Sequence, residues 1–168
     1  MHRSIVDFEQ DEDADWMAIL DCGHRQHVRH NPPLVSRPWV VTEEGRRGQL
    51  SRQLDCVRCE RFEVPAYFEP YRSTPVFTRD SIPSALQKNH TTRRGVWARI
   101  HVLEGSLRYV IEDWHTDTLL SPETQGIVVP EVSHYVRAGG PVRFFVEFYA
   151  EPTQQGQLRS ARERTVAR

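Results

Sequence analysis

No apolar run in this sequence approaches the ~20 residues that a membrane span requires. Its start, MHRSIVDFEQDEDADW, is acidic and lacks the apolar stretch of a secretory signal. Both absences make the cytoplasm the expected compartment. Net charge is nearly absent too, at −1 over 168 residues. The whole-chain balance therefore gives no argument for nucleic acid or an anionic membrane as a partner, and neither is expected. Cysteines number only three, too few for a disulfide framework. In a reducing compartment they point instead to metal or redox use. No internal repeat is visible. With 38% hydrophobic residues and a mean hydropathy of −0.60, the chain reads as a polar protein of one medium or two small domains.

What is present is unevenly placed. Residues 1–63 hold every cysteine and four of the eight histidines. Residues 64–75, VPAYFEPYRSTP, carry three prolines and read as a linker or an extended crossing. Residues 76–150 read as short strands separated by turns, the pattern of an antiparallel barrel or sandwich. Residues 151–168 have almost no large apolar residues and read as a flexible tail. The expected fold class is thus mainly β, a small zinc-stabilised module followed by an antiparallel barrel or sandwich.

In the second part, Val96–Glu104 alternates, with Val96, Ala98, Ile100 and Val102 on one face and Trp97, Arg99, His101 and Leu103 on the other. Glu104-Gly105-Ser106 reads as a turn and Leu107–Asp113 as the returning strand of a hairpin. Thr116–Leu120, Gly126–Pro130, Ser133–Ala138 and Val142–Ala150 continue the series. Ser81–Lys88 reads as a short helix, with Ser81 as cap and Pro83 in its first turn. In the first part, Asp15–Leu20, His27–His30 and Pro38–Thr42 read as strands.

Cys22-Gly23-His24 and Cys56-Val57-Arg58-Cys59 stand 31 residues apart. Two close donor pairs on two turns can surround one zinc ion tetrahedrally. Gly23 supplies the bend that lets neighbouring ligands converge. A ~60-residue piece buries little apolar surface, so metal binding would become folding energy. Cys22, His24, Cys56 and Cys59 are the expected ligands, with His27 and His30 as alternative or supporting histidines. A redox C-x-x-C competes with this reading but lacks the βαβ setting of such motifs. Arg25, Arg29, Arg37, Arg46, Arg47, Arg52, Arg58 and Arg61 make the region locally basic. They would serve an interaction module or, more simply, pair with the acidic segment Asp7–Asp15.

The run Asp21-Cys22-Gly23-His24-Arg25-Gln26-His27-Val28-Arg29-His30, with Arg37-Pro38-Trp39 and Cys56-x-x-Cys59, resembles a small bacterial family of unknown function and implies a zinc-ribbon-like module. Thr74–Pro83, then His90-Thr91-Thr92-Arg93-Arg94-Gly95-Val96-Trp97, then Val102–Leu107 resemble the TehB/YeaR-like domain linked to tellurite resistance. That resemblance implies a cupin-type barrel, a role in stress or oxyanion response, and a homodimer. Methyl transfer is not carried over, because no Gly-rich nucleotide loop follows a strand. The usual cupin metal positions fall here on Thr92, Arg94 and Ala98, none of them a ligand. His90, Arg99, His101, His134 and Glu147 remain. If their strand faces point inward, they line a polar pocket for a second divalent metal or a small oxyanion. An enzyme would use His101, His134 and Glu147 there, with an open position for a small-molecule substrate.

Overall fold

In a computed structural model the described residues are 1–28 and 37–153. The chain is mainly β and divides into two compact units, Met1–Pro65 and Ala66–Arg168. His30 and most of the tail read at 151–168 lie outside the described residues.

The first unit is built on β1 (His2–Gln10), β2 (Trp16–Leu20), β3 (Arg25–His27), α1 (Glu43–Arg47), β4 (Gln53–Asp55) and α2 (Val57–Glu60). The strands form one antiparallel sheet in the order β3-β2-β1-β4. β1 comes from the acidic start, where alternation buries Arg3 and Ile5 while their neighbours face outward. Asp11 closes the β1–β2 turn by accepting from the Asp13 and Asp15 amides at 3.0 and 2.9 Å. The segment Pro38–Val41, expected as a strand, is a 3-10 turn, because proline favours a helical first turn and cannot donate to a sheet ladder. Thr42 then caps α1 by accepting from the Gly45 amide. The strand expected at His27–His30 starts earlier, at Arg25.

The second unit contains β5 (Glu69–Ser73), β6 (Phe77–Thr78), β7 (Trp97–Gly105), β8 (Leu107–Ile111), β9 (Thr116–Leu120), β10 (Gly126–Val128), β11 (Tyr135–Arg137) and β12 (Val142–Ala150). β5 lies within the stretch read as linker and pairs with β12. Ser81–Lys88 is not a helix. Arg79–Ser81 make a 3-10 turn with a Thr78–Ser81 capping box, followed by turns. One sheet runs β10-β7-β12-β5, with β6 also on β12, and a second runs β11-β8-β9. Ala98, Ile100, Val102, Phe144, Val146 and Val128 of the first sheet and Leu107, Tyr109, Ile111 and Leu120 of the second are buried. Gly126 of β10 lies against Leu120 of β9, and Tyr109 donates to the Ile127 carbonyl at 3.0 Å, so the two sheets share this core.

Two expectations are corrected here. β7 and β8 do not form a hairpin. β7 pairs with β10 and β12 while β8 pairs with β9 and β11, so the turn at Gly105 passes the chain from one sheet to the other. The strands do not close into one barrel either. Among the described residues they remain two ladders, and the larger sheet curls as a half-barrel.

Gly105 makes that transfer with φ +75°, and a Cβ there would lie 2.2 Å from the Pro141 carbonyl oxygen. Gly139 has open space around it. Gly105→Ala is expected to destabilise the second unit by about 2 kcal/mol or more. Gly139→Ala should stay within about 0.5 kcal/mol. Urea denaturation followed by circular dichroism compares them, and equal midpoints would contradict the strain assigned to Gly105.

Candidate metal centre

Two backbone devices aim the donors of the first unit. Cys22-Gly23-His24 is the turn of the β2–β3 hairpin. Gly23 has φ +88°, its amide reaches the Leu20 carbonyl at 2.7 Å, and the Leu20 amide reaches the His24 carbonyl at 2.9 Å. The positive φ is what a glycine supplies at this position. Cys56 is the N-cap of α2. A three-residue step along the first helical turn brings Cys59 to the same side.

The four side chains meet out of solvent. Cys22 and Cys59 are fully buried, His24 and Cys56 nearly so, and one donor atom from each lies within 4.8 Å of all the others. His24 Nδ1 is 3.5 Å from Cys22 Sγ, 3.3 Å from Cys56 Sγ and 3.7 Å from Cys59 Sγ. Cys22 Sγ is 3.9 Å from Cys56 Sγ. Zinc at its usual bond lengths, about 2.3 Å to sulfur and about 2.0 Å to nitrogen, places tetrahedral donors roughly 3.5–3.8 Å apart. The measured separations match, and three sulfurs with one nitrogen are a zinc donor set.

Without a cation the thiols compete for one negative charge. Hydrogen bonds from Cys22 and Cys59 hold the Cys56 thiol far below its ordinary value, and the bond to Cys56 pushes Cys22 far up. Cys59 settles at about 11. Its bond with Cys22 pulls it down, its bond with Cys56 and burial push it up, and the Arg3 charge favours its thiolate. Arg3, only 5% exposed, lies 3.8 Å from buried Asp21, whose other oxygen accepts from the Ser4 amide at 3.1 Å. A dication with three thiolates leaves one excess negative charge; the buried Arg3–Asp21 pair beside it is neutral overall, with the Arg3 charge favouring the Cys59 thiolate. Sequence reasoning missed Arg3, and its only signal was a shared face with Ile5.

His27 lies apart from the four donors. Its Nδ1 is 3.5 Å from Asp11, in a half-exposed group with Asp15 at the opposite end of the hairpin from Cys22. In the basic region Arg25 is paired to Glu9 and Arg46 lies 3.6 Å over the Trp16 ring.

In the second unit the five candidate residues separate into two places. Arg99, His101 and Glu147 share the face of the β7–β12 ladder opposite the core, in the register Phe145↔His101 and Glu147↔Arg99. Glu147 accepts from Tyr149 and lies 3.3 Å from His101, whose ring stacks on Phe145. Arg99 lies 5.0 Å over the Tyr149 ring. His134 is instead buried beside Tyr109 and His90. The set His101, His134 and Glu147 is therefore not assembled, because strand alternation turns His101 and Glu147 away from the core that His134 joins. Among the described residues, three or more metal-ligating groups converge only at the cysteine cluster and at Asp11, Asp15 and His27.

Residues 6–63 match the family described as Protein of unknown function (DUF3565), and residues 72–146 match the TehB-like domain. The chain joins a DUF3565 segment to a TehB-like domain. Two proteins of Haemophilus influenzae, each described as probable S-adenosyl-L-methionine-dependent methyltransferase TehB, are 32% and 30% identical over 73 residues, 40% of this chain. The crystal structure of TehB from Haemophilus influenzae matches 54% of this chain and 34% of its own with TM-score 0.50 and 25% identity. This chain spans 26% of the length of the curated relatives it matches. No helix among the described residues is long and apolar enough to cross a membrane.

Burial pushes the His134 ring down to about 4, against the bond to Val132. In the unfolded chain the ring protonates near 6.5, so the unfolded state binds the proton first. The residue's contribution to stability is thus lost as pH falls from about 6.5 towards 4. An NMR titration of the metal-free protein should show the His134 ring unchanged from pH 8 to pH 5. A midpoint near 6.5 would contradict this placement.

Proposed function

We propose that this chain is a cytoplasmic zinc protein in which a DUF3565 module is held together by one structural ion and precedes a TehB-like unit serving in the response to tellurite or a related oxyanion. The four buried donors of Cys22, His24, Cys56 and Cys59, at mutual distances suited to a tetrahedral ion, carry the metal part of this reading. Four protein donors leave no open position, which is the mark of a structural rather than a catalytic zinc. The ion would neutralise thiolates that otherwise repel and would contribute directly to folding.

The match of residues 72–146 to the TehB-like domain supports the oxyanion part. A cupin-like description of that unit rests on two antiparallel sheets with a common core. Methyl transfer stays with the relatives, since the aligned segment covers 26% of their length and this sequence shows no Gly-rich loop after a strand. The half-buried face of Arg99, His101 and Glu147 supplies a cationic group and imidazole that suit an anion.

Metal content of the purified, untagged protein tests the zinc assignment. One tightly held zinc per chain is expected at this site, lost in Cys56→Ser and retained in His27→Ala. A strong chelator should melt the first unit and leave amide protection on β7 and β12 intact. Protein that folds fully without metal, or zinc that survives Cys56→Ser unchanged, would return the C-x-x-C to a redox role.

A further inference from the structure

His90 and His134 face each other across an isolated antiparallel bridge. The His90 amide donates to the His134 carbonyl at 3.0 Å and the His134 amide to the His90 carbonyl at 2.9 Å. Residues paired this way project their side chains to the same side, and the two rings lie 4.2 Å apart between centroids, tilted by 54°. Each ring is fixed in the same manner. His90 Nδ1 is 2.9 Å from the Lys88 carbonyl, and His134 Nδ1 is 2.9 Å from the Val132 carbonyl. A carbonyl only accepts, so each Nδ1 carries a hydrogen and each neutral ring presents Nε2 as a lone pair. Among the described residues no hydrogen bond reaches either Nε2.

Two rings 4.2 Å apart between centroids, each oriented through Nδ1 by a backbone carbonyl, have the tautomer and anchoring that metal-ligating histidines show. The surroundings complete a partial cup. The Tyr109 ring meets His134 edge-on at 5.6 Å and walls one side, while half-exposed His90 leaves the other open. The two segments stay together beyond the pair, the Glu131 amide donating to the Thr92 carbonyl at 3.2 Å. Thr92 Oγ1 is buried there with no hydrogen-bond partner among the described residues.

We propose that His90 and His134 form a second cation site, holding a divalent ion such as zinc through their Nε2 atoms. Imidazole donors suit zinc, copper and nickel. Two protein ligands leave positions open to water or to an oxygen-donor ligand, unlike the closed four-donor cluster. The site shares no residue with that cluster and does not rest on the zinc assignment there.

The test uses the full chain and zinc alone as probe. Long-range nitrogen NMR follows the ring nitrogens as zinc is added at micromolar free concentration. Both His90 and His134 Nε2 resonances should move together, while their Nδ1 resonances keep the protonated signature. Equilibrium dialysis at the same free zinc should give one ion fewer per chain in His90→Gln than in the parent. Cys56→Ser should keep the ion bound at the histidine pair, which separates failure at one site from failure at the other. Nε2 resonances unmoved by zinc, or equal zinc content in the parent and a folded His90→Gln, would overturn the proposal. The parent titration decides the matter even where a variant fails to fold.

Discussion

Three thiols packed beside an imidazole out of solvent cannot all ionise together unless a cation joins them. The first unit is arranged around that constraint. Its apolar core is small, with Ile5, Ala18, Leu20, Val28, Val40 and Leu54 the main buried side chains apart from the cysteines. Such a core leaves little margin over the entropy of ordering some sixty residues. The hairpin turn at Gly23 and the first turn of α2 carry the four clustered donors. The sheet order β3-β2-β1-β4 brings those points to one end of the strands. Arg3 and Asp21 then set the charge around them.

In the second unit the governing constraint is the two-residue period of a strand. On β7 and β12 it sends Ala98, Ile100, Phe144 and Val146 to the core and Arg99, His101, Phe145 and Glu147 to the other side. A polar pocket inside the unit from those four polar or aromatic positions would require the core to be turned out. Histidine chemistry is available inside only where the chain enters a sheet without belonging to a long strand. The His90–His134 bridge is such a place.

Much of the first site was legible because a ligand pair on a tight turn needs only sequence spacing. Cys22, His24, Cys56 and Cys59 converge as their spacing implies, and the turn glycine between the first two has the positive φ it was read for. Arg3 was not legible, since nothing local marks a buried arginine. It depends on β1 lying between β2 and β4. The strands of the second unit from β7 onward were legible from alternation, but not β5 and β6, nor which strands pair. Gly105 reads as a hairpin turn until Pro141 is seen to occupy the space beside it. Pro38 misled in the opposite direction, extended by its preference yet equally suited to start a 3-10 turn. His27 belongs to the Asp11 end of its hairpin because a three-residue strand separates it from His24.

The placement of β12 has a consequence for how this chain is made. It is the last strand among the described residues, yet it borders β5, β6 and β7, with Ser73 meeting Glu147 and Phe77 meeting Phe144. As the chain leaves the ribosome, β5 and β6 have no sheet to join until Val142–Ala150 emerges. The ladders within the first unit close over shorter separations than β5–β12, at most the 53 residues from His2 to Asp55 against 74 from Ser73 to Glu147. The two units therefore acquire their structure in sequence order, the second only after a long wait with exposed strand edges. The period of unpaired strand edges therefore falls on the second unit rather than on the first.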